Sequence, residues 1–117
     1  MDISDFASVL YAEPPVAHVT VVGELDAFTS PQLSRCVGDA IAAGCTDVRM
    51  YLGGLTFIDA AGIGLLVRLR VMTAQLGGRL ELVETSDCVR RLCTILQLGP
   101  AFGLDEPSTG SPRRGIA

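Results

Sequence analysis

Apolar and polar positions along this chain alternate in some blocks and recur every three to four residues in others. Phe6–Ala12 and Ala17–Val22 alternate and read as strands. Between them stands Glu13-Pro14-Pro15, and two prolines, which lack a ladder donor, mark a tight bend at a sheet edge. Gly23-Glu24-Leu25-Asp26 leaves the second strand. Thr29-Ser30-Pro31-Gln32 then predicts a capping box, with Thr29 as N-cap and Gln32 reaching back from the first turn. Pro31 is tolerated there because a first-turn N–H has no helical partner. Leu33, Cys36, Val37, Ala40 and Ile41 follow at helical spacing, and Gly44 stops the run.

The second half repeats the alternation of element types. Asp47–Leu52 reads as a buried strand inside a β-rich run that continues to Leu55. A helix from Ala60 to about Leu76 ends at Gly77-Gly78, and Arg79–Glu84 is another strand. Ser86 or Asp87 caps a third helix to about Leu98, closed by Gly99-Pro100. Ala101–Asp105 suits a short edge strand. From Glu106 onward Pro, Ser, Gly and Arg dominate, which predicts a disordered tail over 106–117 after one domain at 1–105. An opening hairpin followed by alternating strands and helices makes the fold class α/β with a mixed sheet.

The second helix is apolar on more than one side. At 100° per residue, Gly62, Leu65, Leu66, Leu69, Met72, Thr73 and Leu76 form the expected core face. Opposite them Ala60, Ile63, Gly64, Val67 and Val71 make a second apolar stripe, bordered by Arg68, Arg70 and Gln75. Either another element of the same domain covers this stripe, or a partner protein docks on it. Composition alone does not choose. The stripe also suits self-association, so a homodimer stays open.

Charge and composition narrow the chemistry. The 117 residues carry a net charge of −4, with nine basic residues, all Arg. This argues against nucleic acid, which requires a basic face. The apolar stretches are too short to span a bilayer, and Met1-Asp2-Ile3 is not a basic leader, so a cytoplasmic protein is expected. Four cysteines without a C-x-x-C pair and a single histidine, His18, predict neither metal nor cofactor. His18 itself is expected to be exposed or at an edge. A P-loop is excluded in a chain without lysine, and no nucleophile–base set is apparent, so no enzyme is expected. The thiols are expected to act mainly as small hydrophobes. Redox control through Cys45, the thiol expected to be most exposed, or through Cys88 or Cys93, is the sharper reading.

The most informative segment is Phe57-Ile58-Asp59-Ala60-Ala61-Gly62-Ile63-Gly64. Asp59 stands between strand and helix, where an N-cap carboxylate accepts backbone N–H groups. Ala60 and Ala61 fill the first turn, at the positive end of the helix dipole, and neither carries a hydroxyl. Thr56 is the hydroxyl nearest this loop, and local bonding is its expected use.

Two segments together resemble the STAS domain, the family of bacterial anti-sigma-factor antagonists. Gly23-Glu24-Leu25-Asp26-Ala27-Phe28-Thr29 is similar to the family's G-E-L-D-x-x-T turn. Leu52 through Gly64 is similar to its L-S-x-V-x-F-I-D-S-S-G-L-G signature. With the later Cys88-Val89-Arg90-Arg91-Leu92 helix, the resemblance covers roughly residues 6–104. It implies a four- to five-stranded sheet with helices packed mainly on one side. It also implies a partner, an anti-sigma factor with a protein-kinase-type ATP site, whose sigma factor is released on binding.

In kinase-controlled members, the residue after the aspartate is the serine that the anti-sigma factor phosphorylates. A phosphate there adds about −1.5 to −2 charges and binding is lost. Here that phosphosite-equivalent position is Ala60, and Ala61 replaces the second serine. Tyr51 and Gly53 depart from the pattern too, and the family's closing helix is hard to find beyond Leu104. The expected contact surface is Asp26, Asp59, Ala60, Ala61, Gly62, Ile63, Gly64 and Val67. The competing expectation is a STAS scaffold subunit of a transport or stress-sensing complex that uses the same loop.

Overall fold

Period-two burial sets the sheet in the computed structural model, which describes residues 6–98. Four strands, β1 (Ala7–Glu13), β2 (Val16–Leu25), β3 (Asp47–Ile58) and β4 (Leu80–Thr85), lie side by side in that order. β1 and β2 form an antiparallel hairpin across Pro14-Pro15, while β2, β3 and β4 run parallel. Parallel neighbours need crossovers, which α1 (Ser30–Ala42) and α2 (Ala60–Gln75) supply; α3 (Asp87–Ile95) follows β4.

Ala17, Val19 and Val21 of β2, Val48, Met50 and Leu52 of β3, and Leu80 and Leu82 of β4 are all buried. They meet Leu33, Val37 and Ala40 of α1, Leu65, Leu66 and Leu69 of α2, and Val89 and Cys93 of α3 in one core. Residues between them, such as Tyr11, His18, Arg49 and Tyr51, point the other way. His18 therefore corrects its expectation. It is half-buried on an interior strand, its Nδ1 3.0 Å from the Tyr51 hydroxyl and its Nε2 3.5 Å from Glu13 Oε1.

Several element boundaries move, each for a physical reason. β3 runs on to Ile58 because its last residues pair with β2, Glu24 with Phe57 and Leu25 with Ile58. Gly54 makes this close approach fit, since a Cβ there would come within 2.6 Å of Val22 Cγ1. α3 ends at Ile95, where Gln97 takes a left-handed φ of 58°. Leu76 leaves the core face and is exposed, because α2 ends before it and it becomes the C-cap. The sheet has four strands among the described residues. The expected edge strand at Ala101–Asp105 and tail at 106–117 lie outside them. No helix among the described residues is long and apolar enough to cross a membrane.

Candidate functional site

Parallel pairing ends β2 and β3 together, so the loops that follow them share one corner of the domain. The Asp59 N–H donates to the Leu25 carbonyl at 3.3 Å and ties the two loops together. Gly62 closes the join. A Cβ on it would stand 2.7 Å from that carbonyl oxygen and 2.9 Å from Ile58 Cγ1. A glycine is what lets the start of α2 seat directly on the end of β2.

Both aspartates at this corner are engaged by backbone. Asp59 is the N-cap of α2, with extended backbone and its Oδ1 accepting from the Gly62 N–H at 3.0 Å. Asp26 Oδ1 accepts from the N–H groups of Phe28 (2.9 Å) and Thr29 (3.1 Å), folding the turn on itself. The Thr29 hydroxyl donates to the Glu24 carbonyl at 2.8 Å and accepts from the Asp26 N–H at 2.9 Å. The expected capping box is therefore absent: Thr29 has helical φ and ψ and its side chain makes no cap bond. The β2–α1 turn consumes that hydroxyl first. Thr56 is likewise used locally, donating to the Gly23 carbonyl at 3.1 Å. Replacing Asp59 with Ala removes one cap bond and is expected to lower stability by about 1 kcal/mol. A lower urea midpoint at unchanged m-value checks it.

The expected contact residues divide. Ala60 and Ala61 are exposed, and Gly64 and Val67 half-exposed, so these keep an open ridge along α2. Gly62 is buried as the core periodicity required. Ile63 corrects the stripe, being only 4% exposed and part of the core. It lies about 60° around the helix from Leu66, and α2 is covered over a wider arc than one stripe. Sequence reasoning missed Phe28, which at 92% exposed is the most exposed large apolar residue described. Phe57, beside Asp59, is also exposed. The available signal was an aromatic inside a turn of otherwise small and polar residues. Between the first turns of α1 and α2 runs a groove of about 460 Å³, lined among others by Ala27, Ser30, Ala60, Gly64 and Arg68.

The thiols fall elsewhere. Cys45, expected to be the most exposed, is 1% exposed: its N–H is anchored to the Ala40 carbonyl and its side chain joins the core. Cys93 is buried too. Cys88 is half-buried, its sulfur 3.3 Å from the Ser86 hydroxyl and 3.5 Å from the Leu55 carbonyl oxygen. Burial pushes the Cys36 and Cys93 thiols above their ordinary pKa, against smaller opposing effects from a Ser8 hydrogen bond and from Arg90. The unfolded chain therefore loses these protons first. Their contribution to stability is intact below the ordinary thiol range and falls as pH rises through and above it. A urea midpoint that drops between neutral and strongly alkaline pH, less steeply in Cys36→Ala, is the expected result. Among the described residues, no group of three His, Cys, Asp or Glu side chains is placed to hold a metal ion.

Comparison with known proteins adds an independent line. The family model described as the STAS domain matches residues 8–108. The anti-sigma-B factor antagonist of Bacillus subtilis (strain 168) is 28% identical over 92 residues, 79% of this chain and 84% of that protein. That of Staphylococcus aureus (strain NCTC 8325 / PS 47) is 30% identical over 88 residues, 75% and 82% of the two chains. Among solved structures, the anti-sigma factor antagonist SpoIIAA in its unphosphorylated form superposes with a TM-score of 0.70 at 27% identity. That match covers 80% of this chain and 84% of SpoIIAA.

Proposed function

Because the chain belongs to the STAS domain family, we propose that it is an anti-sigma factor antagonist. In this reading it binds a protein-kinase-type anti-sigma factor in the cytoplasm and so frees the sigma factor, without chemistry of its own. The names of its relatives support the role. The observation that carries it is the corner where β2 and β3 end. There Ala60, Ala61, Gly64 and Val67 stay accessible on α2, with Phe28 projecting from the adjoining turn. A small-residue ridge lets a partner backbone approach closely, and an exposed aromatic beside it is a typical anchor.

The position that carries a phosphorylatable serine in kinase-controlled members is Ala60, so the partner's kinase has no hydroxyl to modify there. We read this chain as an antagonist that is not switched off at that residue. Asp26 and Asp59 serve first to shape the corner, because their carboxylates already accept backbone N–H groups. For thiol control the reading keeps half-buried Cys88 and drops Cys45 and Cys93. The test is displacement. Purified full-length chain, added to the anti-sigma–sigma complex of its own host, is expected to release free sigma factor on native gels, with ATP present and no loss of activity over time. No release, with the chain folded, would overturn the reading.

A further inference from the structure

The groove between the first turns of α1 and α2 carries more cation character than a greasy ridge requires. We propose that it is a binding site for a phosphate group, as inorganic phosphate or a phosphate monoester. The site rests on its own geometry; only its regulatory consequence rests on the partner-binding reading above.

Four observations converge. Asp59 takes the Gly62 N–H, which leaves the N–H groups of Ala60 and Ala61 without intrahelical partners at the positive end of a 16-residue helix. The first turns of α1 and α2 contain no acidic residue, and the carboxylate at the start of α2, that of the N-cap Asp59, is engaged by the Gly62 N–H. Arg68, two turns further along α2, lines the same groove. A helical side chain runs back toward the N-terminus, and here the guanidinium lies over Gly64, where a Cβ would sit 3.5 Å from Nη1. Among the described residues, no carboxylate forms an ion pair with Arg68, although the chain is acidic overall.

The fourth observation is Ser30. It lines the groove from α1, is nine-tenths buried, and its hydroxyl has no hydrogen-bond partner. Buried hydroxyls are nearly always paired, so this one is a donor waiting for an acceptor. Ser34 adds a second hydroxyl to the rim. Two backbone N–H groups, a fork-shaped cation and serine donors around one groove match a tetrahedral oxyanion, which accepts from several directions at once. At about 460 Å³ the groove has room for the phosphate together with an ester substituent or water.

If the partner docks on this corner, a bound phosphate places negative charge beside Ala60 without a covalent bond. The ligand would then do reversibly, by concentration, what modification of a hydroxyl cannot do here.

The test is an amide-resolved NMR titration of the full chain with sodium phosphate, with ionic strength held constant by chloride. Saturating shifts at Ala60 and Ala61 are expected, with affinity falling roughly tenfold or more in Arg68→Gln and less in Ser30→Ala. The absence of saturation would overturn the proposal, as would the same response in Arg68→Gln. Acetate binding as tightly as phosphate would overturn the phosphate assignment. Competition against the anti-sigma factor separates the two readings. Phosphate that binds without weakening the complex supports the site and removes the partner from this corner. Partner binding that is sensitive to position 60, with no phosphate response, leaves the antagonist reading and removes the site.

Discussion

Valine at position 62 is expected to destabilise the domain by about 3 kcal/mol, at the upper end of the range for overpacked sites. For a domain of this size that corresponds to a fall in Tm of roughly 10–20 °C. The reason is backbone rather than side-chain crowding. A Cβ at Gly62 meets the Leu25 carbonyl oxygen at 2.7 Å, and behind it lie Ile58 Cγ1 at 2.9 Å and Leu25 Cγ at 3.0 Å. Rotamer changes relieve the side-chain contacts but not the carbonyl, which also accepts the Asp59 N–H. The helix must therefore lift from the end of β2, and the N-cap bond from Gly62 to Asp59 is lost with it. Gly38→Ala is the control, because a Cβ there meets nothing within 4 Å. Helix propensity should make that change stabilising by up to about 1 kcal/mol. A Gly62→Val variant that unfolds at the same urea concentration as the parent would show that α2 does not seat on β2 as described.

The second large effect is on binding. Ala60→Asp is expected to weaken the complex with the anti-sigma factor by about tenfold or more, which is about 1.4 kcal/mol or above. Folding should not suffer. A carboxylate in the first helical turn interacts favourably with the dipole, by about 0.3–1 kcal/mol. Position 60 is exposed, so no core packing is disturbed. The two effects have opposite signs, and a loss of affinity cannot then be a by-product of unfolding. Ala60→Ser provides the complementary arm. It should bind like the parent chain and become a substrate for a kinase-type partner. Calorimetry that finds Ala60→Asp and parent equal in affinity would move the contact surface away from this helix start.

Much of the fold is legible in the sequence. Alternation in Ala17–Val22 and in the run from Asp47 located β2 and β3. Glycines at 44 and 77 located the ends of α1 and α2, and both take positive φ, 100° and 83°. Asp59 was legible as a cap because the aspartate, strand end and helix start are adjacent in sequence. The misreadings share another character. Thr29 does stand at the N-cap position of α1, but Glu24 and Asp26 claim its hydroxyl through the turn, so the capping bond read from the sequence is not made. Cys45 follows a loop glycine, yet the crossover from α1 into β3 turns its side chain inward. Ile63 matched the exposed stripe on a helical wheel, which assumes a single buried arc, and α2 is buried over a wider one.

By itself the sequence determined the order of elements, the place of the Asp59 loop and the absence of a hydroxyl at positions 60 and 61. Those are properties of neighbours along the chain, and short-range periodicity and capping chemistry encode them directly. The tertiary structure alone decided that Asp26 is spent on its own turn, that Phe28 stands exposed in that turn, and that Ser30 and Arg68 line one groove. These juxtapositions arise because the parallel pairing of β2 with β3 brings two distant loops to one corner. Pairing of that kind depends on contacts far apart in sequence, which no local pattern records.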